Sequence, residues 1–280
     1  MNIKFTKMQG CGNDYIYINC FDGEPADLNS LAIAMSPRHF SVGADGVVLI
    51  CPSETCDVKM RMFNADGSEG RMCGNAIRCI GKYLYDNRIT EKKQLDIETL
   101  SGVKYLTLHT KDDKVTNVTV DMGYAEFEPK AIPVISENRL IEYPIIVDEN
   151  EYKITAVSVG NPHAVCFLDE IKSLELTKIG PKFEYNPMFP ERVNTEFARI
   201  IDKNNIEMRV WERGSGETFA CGTGACATVA AAVITGRCDF GEEITVHLIG
   251  GDLTIKCDKD YKIYMNGNAV KVYDGTYEFN

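Results

Sequence analysis

No stretch of this 280-residue chain is apolar over anything near the roughly 20 residues that a membrane-spanning helix needs. Low-complexity segments are absent as well. Positive charge is in short supply: 30 Lys and Arg stand against 41 Asp and Glu, a formal net charge of −11. That balance argues against nucleic acid or an anionic membrane surface as partner. There is no C-x-x-C, so a thioredoxin-type redox protein lacks its motif. The glycine-rich Cys221–Gly224 lacks the lysine of a phosphate-binding P-loop. Cys73/Cys79 and Cys221/Cys226 are spaced five or six apart along helical stretches, which is poor spacing for zinc, and no metal is expected. The start at Met1–Phe5 shows no signal peptide. With an odd count of eleven cysteines, a reduced cytoplasmic compartment is expected rather than a disulfide framework.

What is present is ordinary globular material, 44% apolar and 25% charged, and the length favours two domains. The chain is organised around Glu212–Ala232, which reads ERGSGETFACGTGACATVAAA. After Cys221-Gly222-Thr223-Gly224 the residues are small and apolar on every side, the pattern of a buried helix, with Thr223 as candidate N-cap and Gly236 placed to end it. Cys221 then sits where a helix begins, beside backbone N–H groups that favour a thiolate and can hold an anion. A buried structural cysteine is the competing reading.

A twin motif shifts the balance. Cys73-Gly74-Asn75 precedes a second helical stretch, 76–85, and lies 148 positions before Cys221. The same offset relates Gly12-Asn13 to Gly160-Asn161, Met60-Arg61 to Met208-Arg209, Phe63 to Trp211, Asn64 to Glu212 and Glu69 to Glu217. This is an internal duplication, and it predicts two halves that contribute one cysteine each to a common site. Strands are expected at 3–7, 15–19, 47–51, 60–63, 95–100, 103–109, 115–121, 195–201, 207–211, 244–249 and 252–257, with late strands near 261–265 and 269–273. A helix is expected at 28–35, and the Pro- and charge-scattered run 129–152 reads as the connection between halves. Asn13 and Asn161 are either turn residues or ligands, and His163 is either structural or part of a site.

Two thiols serving one carbon suit stereoinversion, in which a thiolate removes a proton from one face and a thiol returns one to the other. Backbone N–H groups at Gly74, Asn75, Gly222 and Thr223 would hold a substrate carboxylate and the charge that grows on it. The two thiols are expected to titrate as a unit holding one proton.

Along essentially its whole length the sequence resembles the diaminopimelate epimerase family. The resemblance is carried by Gln9-Gly10-Cys11-Gly12-Asn13-Asp14, Gly43-Ala44-Asp45-Gly46, Phe63-Asn64-Ala65-Asp66-Gly67-Ser68, Cys73-Gly74-Asn75, Gly160-Asn161-Pro162-His163-Ala164-Val165, Phe189-Pro190, Asn194, and Glu212-Arg213-Gly214 through Cys221-Gly222-Thr223-Gly224. Proline racemases and phenazine-pathway relatives are similar in fold, but the former follow their first cysteine with Gly-His and the latter lack the cysteine pair. The resemblance implies an α/β (α+β) fold of two pseudo-symmetric domains, each a curled, mostly antiparallel sheet around a central helix. Their expected bounds are 1–122 plus 268–280, and 123–267, with the last strand returning to the first domain. It also implies cofactor-independent interconversion of LL- and meso-diaminopimelate, in lysine and peptidoglycan precursor biosynthesis, with a homodimer as the expected assembly. Cys73 and Cys221 match the acid/base pair. Asn13, Asn64, Asn161, Asn194, Glu212 and Arg213 match side chains that grip the substrate. Gly74, Asn75, Gly222 and Thr223 match the backbone cradle, and His163, with Glu212, matches a supporting residue. The chain departs from the family at Gly46, where some members carry Gln, and at Ala76-Ile77. A same-fold racemase of another amino acid and a non-catalytic metal or redox protein are the alternatives, decided by a substrate panel and by metal analysis.

Overall fold

The computed structural model describes residues 1–279, and its chain falls into two compact units. The first comprises Met1–Asp121 and the C-terminal residues from Asn266 onward. In chain order it holds β1 (Asn2–Gly10), β2 (Asn13–Asn19), α1 (Leu28–Met35), β3 (Gly46–Cys51), β4 (Val58–Asn64), β5 (Glu69–Gly70), α2 (Gly74–Asp86), β6 (Gln94–Glu98), β7 (Lys104–Lys111) and β8 (Lys114–Tyr124). The second, Met122–Met265, holds β9 (Tyr143–Val147), β10 (Asn150–Ser158), β11 (Pro162–Phe167), α3 (Leu176–Glu184), β12 (Asn194–Asp202), β13 (Asn205–Glu212), β14 (Gly216–Glu217), α4 (Gly222–Ile234), β15 (Glu243–Leu248) and β16 (Gly251–Cys257). β17 (Lys262–Asn268) leads back to the first unit, where β18 (Val270–Glu278) pairs antiparallel with β1 from Asn2↔Glu278 onward.

The strands of each unit pair in a mixed, mostly antiparallel way, and the two units repeat one pattern. In the first unit β1–β2, β3–β4 and β6–β7 are antiparallel while β2–β3 and β4–β6 are parallel. In the second, β10–β11, β12–β13 and β15–β16 are antiparallel while β11–β12 and β13–β15 are parallel. The 148-residue offset carries Gly74–Asp86 onto Gly222–Ile234. Thus the duplication read from cysteines and glycines extends to strand order and direction.

The central strands bury both faces, as their continuous apolar runs require. On β2, Ile16 and Ile18 pack toward α1 in a cluster with Leu31, Val47 and Leu49, while Tyr17 on the opposite face bonds the first turn of α2. α2 approaches β7 closely because position 81 is glycine, where a Cβ would stand 2.7 Å from Leu108 Cδ2. In α4 the residues from Ala225 through Ala232 are almost wholly buried, so small side chains let the sheet close on the helix.

Two expectations are corrected. The run 129–152 is not a bare connection: β9 pairs with β10, burying Ile145 and Val147 alternately. Its signal was masked because Pro144 and the exposed Ile146 on the outward face break the apolar–polar alternation of a strand. Thr223 is not the N-cap of α4, because the helix begins at Gly222 and Cys221 itself caps it. Helix α3 had no sequence signal, since Gly180 and Pro181 interrupt it. It forms because Phe183 packs edge-on against Tyr152 and Phe197.

Candidate active site

In the first unit Cys73 stands as the N-cap of α2 with extended backbone (φ −130°), and Gly74 and Asn75 form the first turn. Its Sγ donates to Asn13 Oδ1 at 3.3 Å, and Asn13 Nδ2 donates to Asp45 Oδ2 at 2.7 Å. Asp45 is also paired with Arg38 at 3.0 Å. Asn64 closes β4 and donates through Nδ2 to Ser68 Oγ at 3.0 Å, within a turn that returns the chain toward Cys73. Gly46 leaves no room for a side chain on this backbone, because a Cβ there would meet the backbone oxygen of Phe63 at 2.1 Å.

In the second unit Cys221 caps α4 in the same way (φ −119°) and is 6% exposed. Its sulfur accepts from Gly224 N at 3.3 Å and lies 3.5 Å from Thr223 Oγ1. Position 224 must be glycine here, since a Cβ would stand 2.6 Å from Glu196 Oε1 and 3.2 Å from the Cys221 sulfur. Asn161 Nδ2 donates to Thr223 Oγ1 at 3.3 Å, which leaves its Oδ1 to accept from His163 Nε2–H at 3.0 Å. The other ring nitrogen, Nδ1, is hydrogen-bonded to Glu196 Oε1 at 2.7 Å, and both side chains are fully buried. Asn194 is held between Pro162 O (2.9 Å) and the backbone N–H of Arg213 (2.9 Å). Arg213 in turn donates to Glu191 O at 2.8 Å. Glu212 accepts from the Thr218 hydroxyl.

Electrostatics differ from the helix-start expectation at Cys221. Burial raises its thiol well above the ordinary cysteine value, and the nearby carboxylates of Glu212 and Glu196 raise it further. Thr223 and the Gly224 N–H offset only part of this. Burial likewise raises Glu212, against the opposing pull of Thr218 and His163. Cys221 therefore rests as a thiol.

The first unit thus gathers Cys73, Gly74, Asn75 and Asn13 around one helix start, with Asn64 on the strand end nearby in the chain. The second gathers Cys221, Gly222, Thr223, Asn161, His163 and Glu212 around the other, with Asn194 fastened to Arg213. Glu196 and Tyr15 were missed. Asn194-Thr195-Glu196-Phe197-Ala198 carries only two apolar residues, so nothing in it marks Glu196 as buried. Among the described residues no group of three or more His, Cys, Asp or Glu side chains forms a metal-binding cluster, and no helix is long and apolar enough to cross a membrane.

The duplicated α+β fold is shared with solved structures described as a hydroxyproline epimerase and a probable proline racemase. A hydroxyproline epimerase from Agrobacterium vitis shares the fold at a TM-score of 0.73 and 14% identity, over 98% of this chain and 92% of that one. At the level of sequence, a family model described as diaminopimelate epimerase matches residues 5–128 and 155–272. The diaminopimelate epimerase of Acetivibrio thermocellus is 50% identical over 99% of both chains, and that of Desulfovibrio desulfuricans is 51% identical over 98% of both. The chain belongs to the diaminopimelate epimerase family.

Proposed function

We propose that this chain interconverts LL- and meso-2,6-diaminopimelate, without a cofactor, by proton transfer at one α-carbon between Cys73 and Cys221. The observation that carries the reading is the repeated half-site: a cysteine capping a helix, an asparagine beside it, and first-turn N–H groups next to the sulfur.

One sulfur, as thiolate, takes the α-proton, and the electron pair left on carbon spreads onto the α-carboxylate. N–H groups at Gly74, Asn75, Gly222 and Thr223 are placed at helix starts, where such charge is stabilised. The opposite thiol then delivers its proton to the other face, and the two sulfurs have exchanged roles. In this reading Cys221, whose thiol is raised by burial, is the acid at rest and Cys73 takes the part of base. Asn13, Asn64, Asn161, Asn194, Glu212 and Arg213 are assigned to the substrate's amino and carboxylate groups, and His163 to orienting Asn161 and Thr223. The need for reduced thiols fits a cytoplasmic location. Exposed Val272 and Tyr273 on β18 fit a homodimer, which size-exclusion chromatography tests.

The test of function is incubation with LL-diaminopimelate under reducing conditions, followed by chiral chromatography. Meso product is expected, and no conversion would overturn the assignment. Turnover of a different amino acid in a substrate panel would move the protein to the racemase alternative.

A further inference from the structure

The duplication places a second side chain beside Cys73. In the second unit His163 follows Asn161 by two residues on β11, and 148 positions earlier Tyr15 follows Asn13 by two on β2. Their surroundings repeat: His163 pairs in parallel with Asn194 on β12, and Tyr15 with Gly46 on β3.

Alternate residues share one face of a strand, so Asn13, Tyr15 and Tyr17 form a row. Both ends of that row are fixed on the start of α2. Cys73 Sγ donates to Asn13 Oδ1 at 3.3 Å, and the Tyr17 hydroxyl donates to Ala76 O at 3.1 Å. Tyr15 lies between them in the row, 5% exposed, and the charge of Cys73 is among those that raise its phenol. Gly46 makes the space, since a Cβ there would be 3.0 Å from Tyr15 Cε1.

We propose that Tyr15 is the positioning residue of the Cys73 half-site, its phenol O–H donating to the Cys73 sulfur so as to aim it and favour its thiolate. This rests on the reading of Cys73 as an acid/base sulfur and deepens it. Where the second unit sets an imidazole between an asparagine and a carboxylate, the first sets a phenol against the sulfur. Burial, then the charges of Cys73 and Asp45, hold the Tyr15 proton well above the ordinary tyrosine range. The phenol is therefore a donor throughout the working pH range and does not compete with Cys73 for the role of base. Among the described residues, Tyr17 and Cys79 also feel the charge of this sulfur, while Asp45 and Arg78 hold its neighbours Asn13 and Gly74. Arg78 is anchored on Gly74 O and Asn268 O, and burial pushes Cys79 up to about 11, so it too stays protonated.

The test is the pH dependence of Cys73 alkylation by iodoacetamide, read by peptide mass spectrometry without substrate, in the full chain and its variants. Tyr15→Phe is expected to raise the midpoint by about one pH unit or more and to lower kcat about tenfold with KM little changed. Tyr17→Phe removes a hydroxyl from the same row and is expected to lower the melting temperature while leaving the midpoint in place. An unmoved midpoint in Tyr15→Phe, or an equal shift in Tyr17→Phe, overturns the proposal. Should Tyr15→Phe fail to fold, wild type labelled with 3-fluorotyrosine replaces it. Its more acidic phenol is expected to lower the midpoint, and no movement overturns the proposal equally. Failure of the underlying two-cysteine reading shows separately, as epimerisation retained by Cys73→Ala.

Discussion

At the scale of single residues, the two sulfurs occupy equivalent backbone positions in unlike electrostatic settings. Cys221 faces carboxylates and burial, which keep its proton on. Replacing Glu212 by Gln removes a charge that opposes the thiolate, so the Cys221 alkylation midpoint is expected to fall by about one pH unit. Epimerisation should drop at least ~10²-fold at the same time, because a proposed substrate contact is lost. A midpoint that rises instead would show that Glu212 does not face Cys221 as an anion. Arg213 gives a second residue-scale prediction. A charge-assisted contact to the distal carboxylate of diaminopimelate is worth roughly 1.5–3 kcal/mol. Lysine, which lacks that carboxylate, is therefore expected to be at least one to two decades poorer in kcat/KM, and steady-state kinetics on both compounds checks this. The sequence exposed the cysteines, asparagines and glycines because their chemistry is unusual at helix starts and turns. It did not expose Glu196 or Tyr15. A buried glutamate looks like any strand charge until its histidine partner is placed on the neighbouring parallel strand, and Tyr15 reads as one more aromatic in a strand.

At the scale of elements, the hydrophobic pattern located the central helices and most strands, α4 by being apolar all round and the strands by their buried apolar runs. It failed where burial depends on partners far along the chain. β9 alternates only over five residues and is defined by its pairing with β10. α3 carries Gly180 and Pro181, and its place is set by Trp211, whose Nε1 donates to Glu184 Oε2 at 2.7 Å. The glycine is a packing requirement, since a Cβ at 180 would stand 2.2 Å from Trp211 Cδ2. Gly180→Ala, although favourable for helix propensity, is therefore expected to destabilise the fold by about 1–3 kcal/mol. Glu184 also holds the Gly214 N–H at 3.0 Å, so the turn beside Arg213 should loosen with it. Denaturant titration decides: a stabilised variant would mean that α3 has room to shift away from Trp211.

At the scale of the whole molecule, buried thiols tie stability to pH. Burial raises Cys79 and Cys238 to about 11, and Cys166 and Cys257 to about 12, from an ordinary value of 9.0. A group whose folded pKa is raised holds its proton longer when folded than when unfolded. Its contribution is complete below the unfolded value and is lost as pH rises toward the folded one. Thermal stability is therefore expected to decline steadily between about pH 9 and pH 12. Cys166→Val, which cannot titrate, should flatten that decline by on the order of 1–3 kcal/mol. An alkaline limb unchanged in this variant would place the sensitivity elsewhere.

The central claim is that two cysteines, one from each duplicated half, exchange a proton at one carbon, and deuterium reports on it directly. LL-diaminopimelate is incubated in D₂O with wild type, Cys73→Ala and Cys221→Ala, and each α-carbon is followed by mass spectrometry and NMR. Wild type is expected to place one deuterium at the inverted carbon of the meso product before any appears in recovered substrate, and neither variant should form product while both keep the wild-type fold. Full epimerisation by either variant, or deuterium entering substrate as fast as product in wild type, would contradict the two-sulfur mechanism.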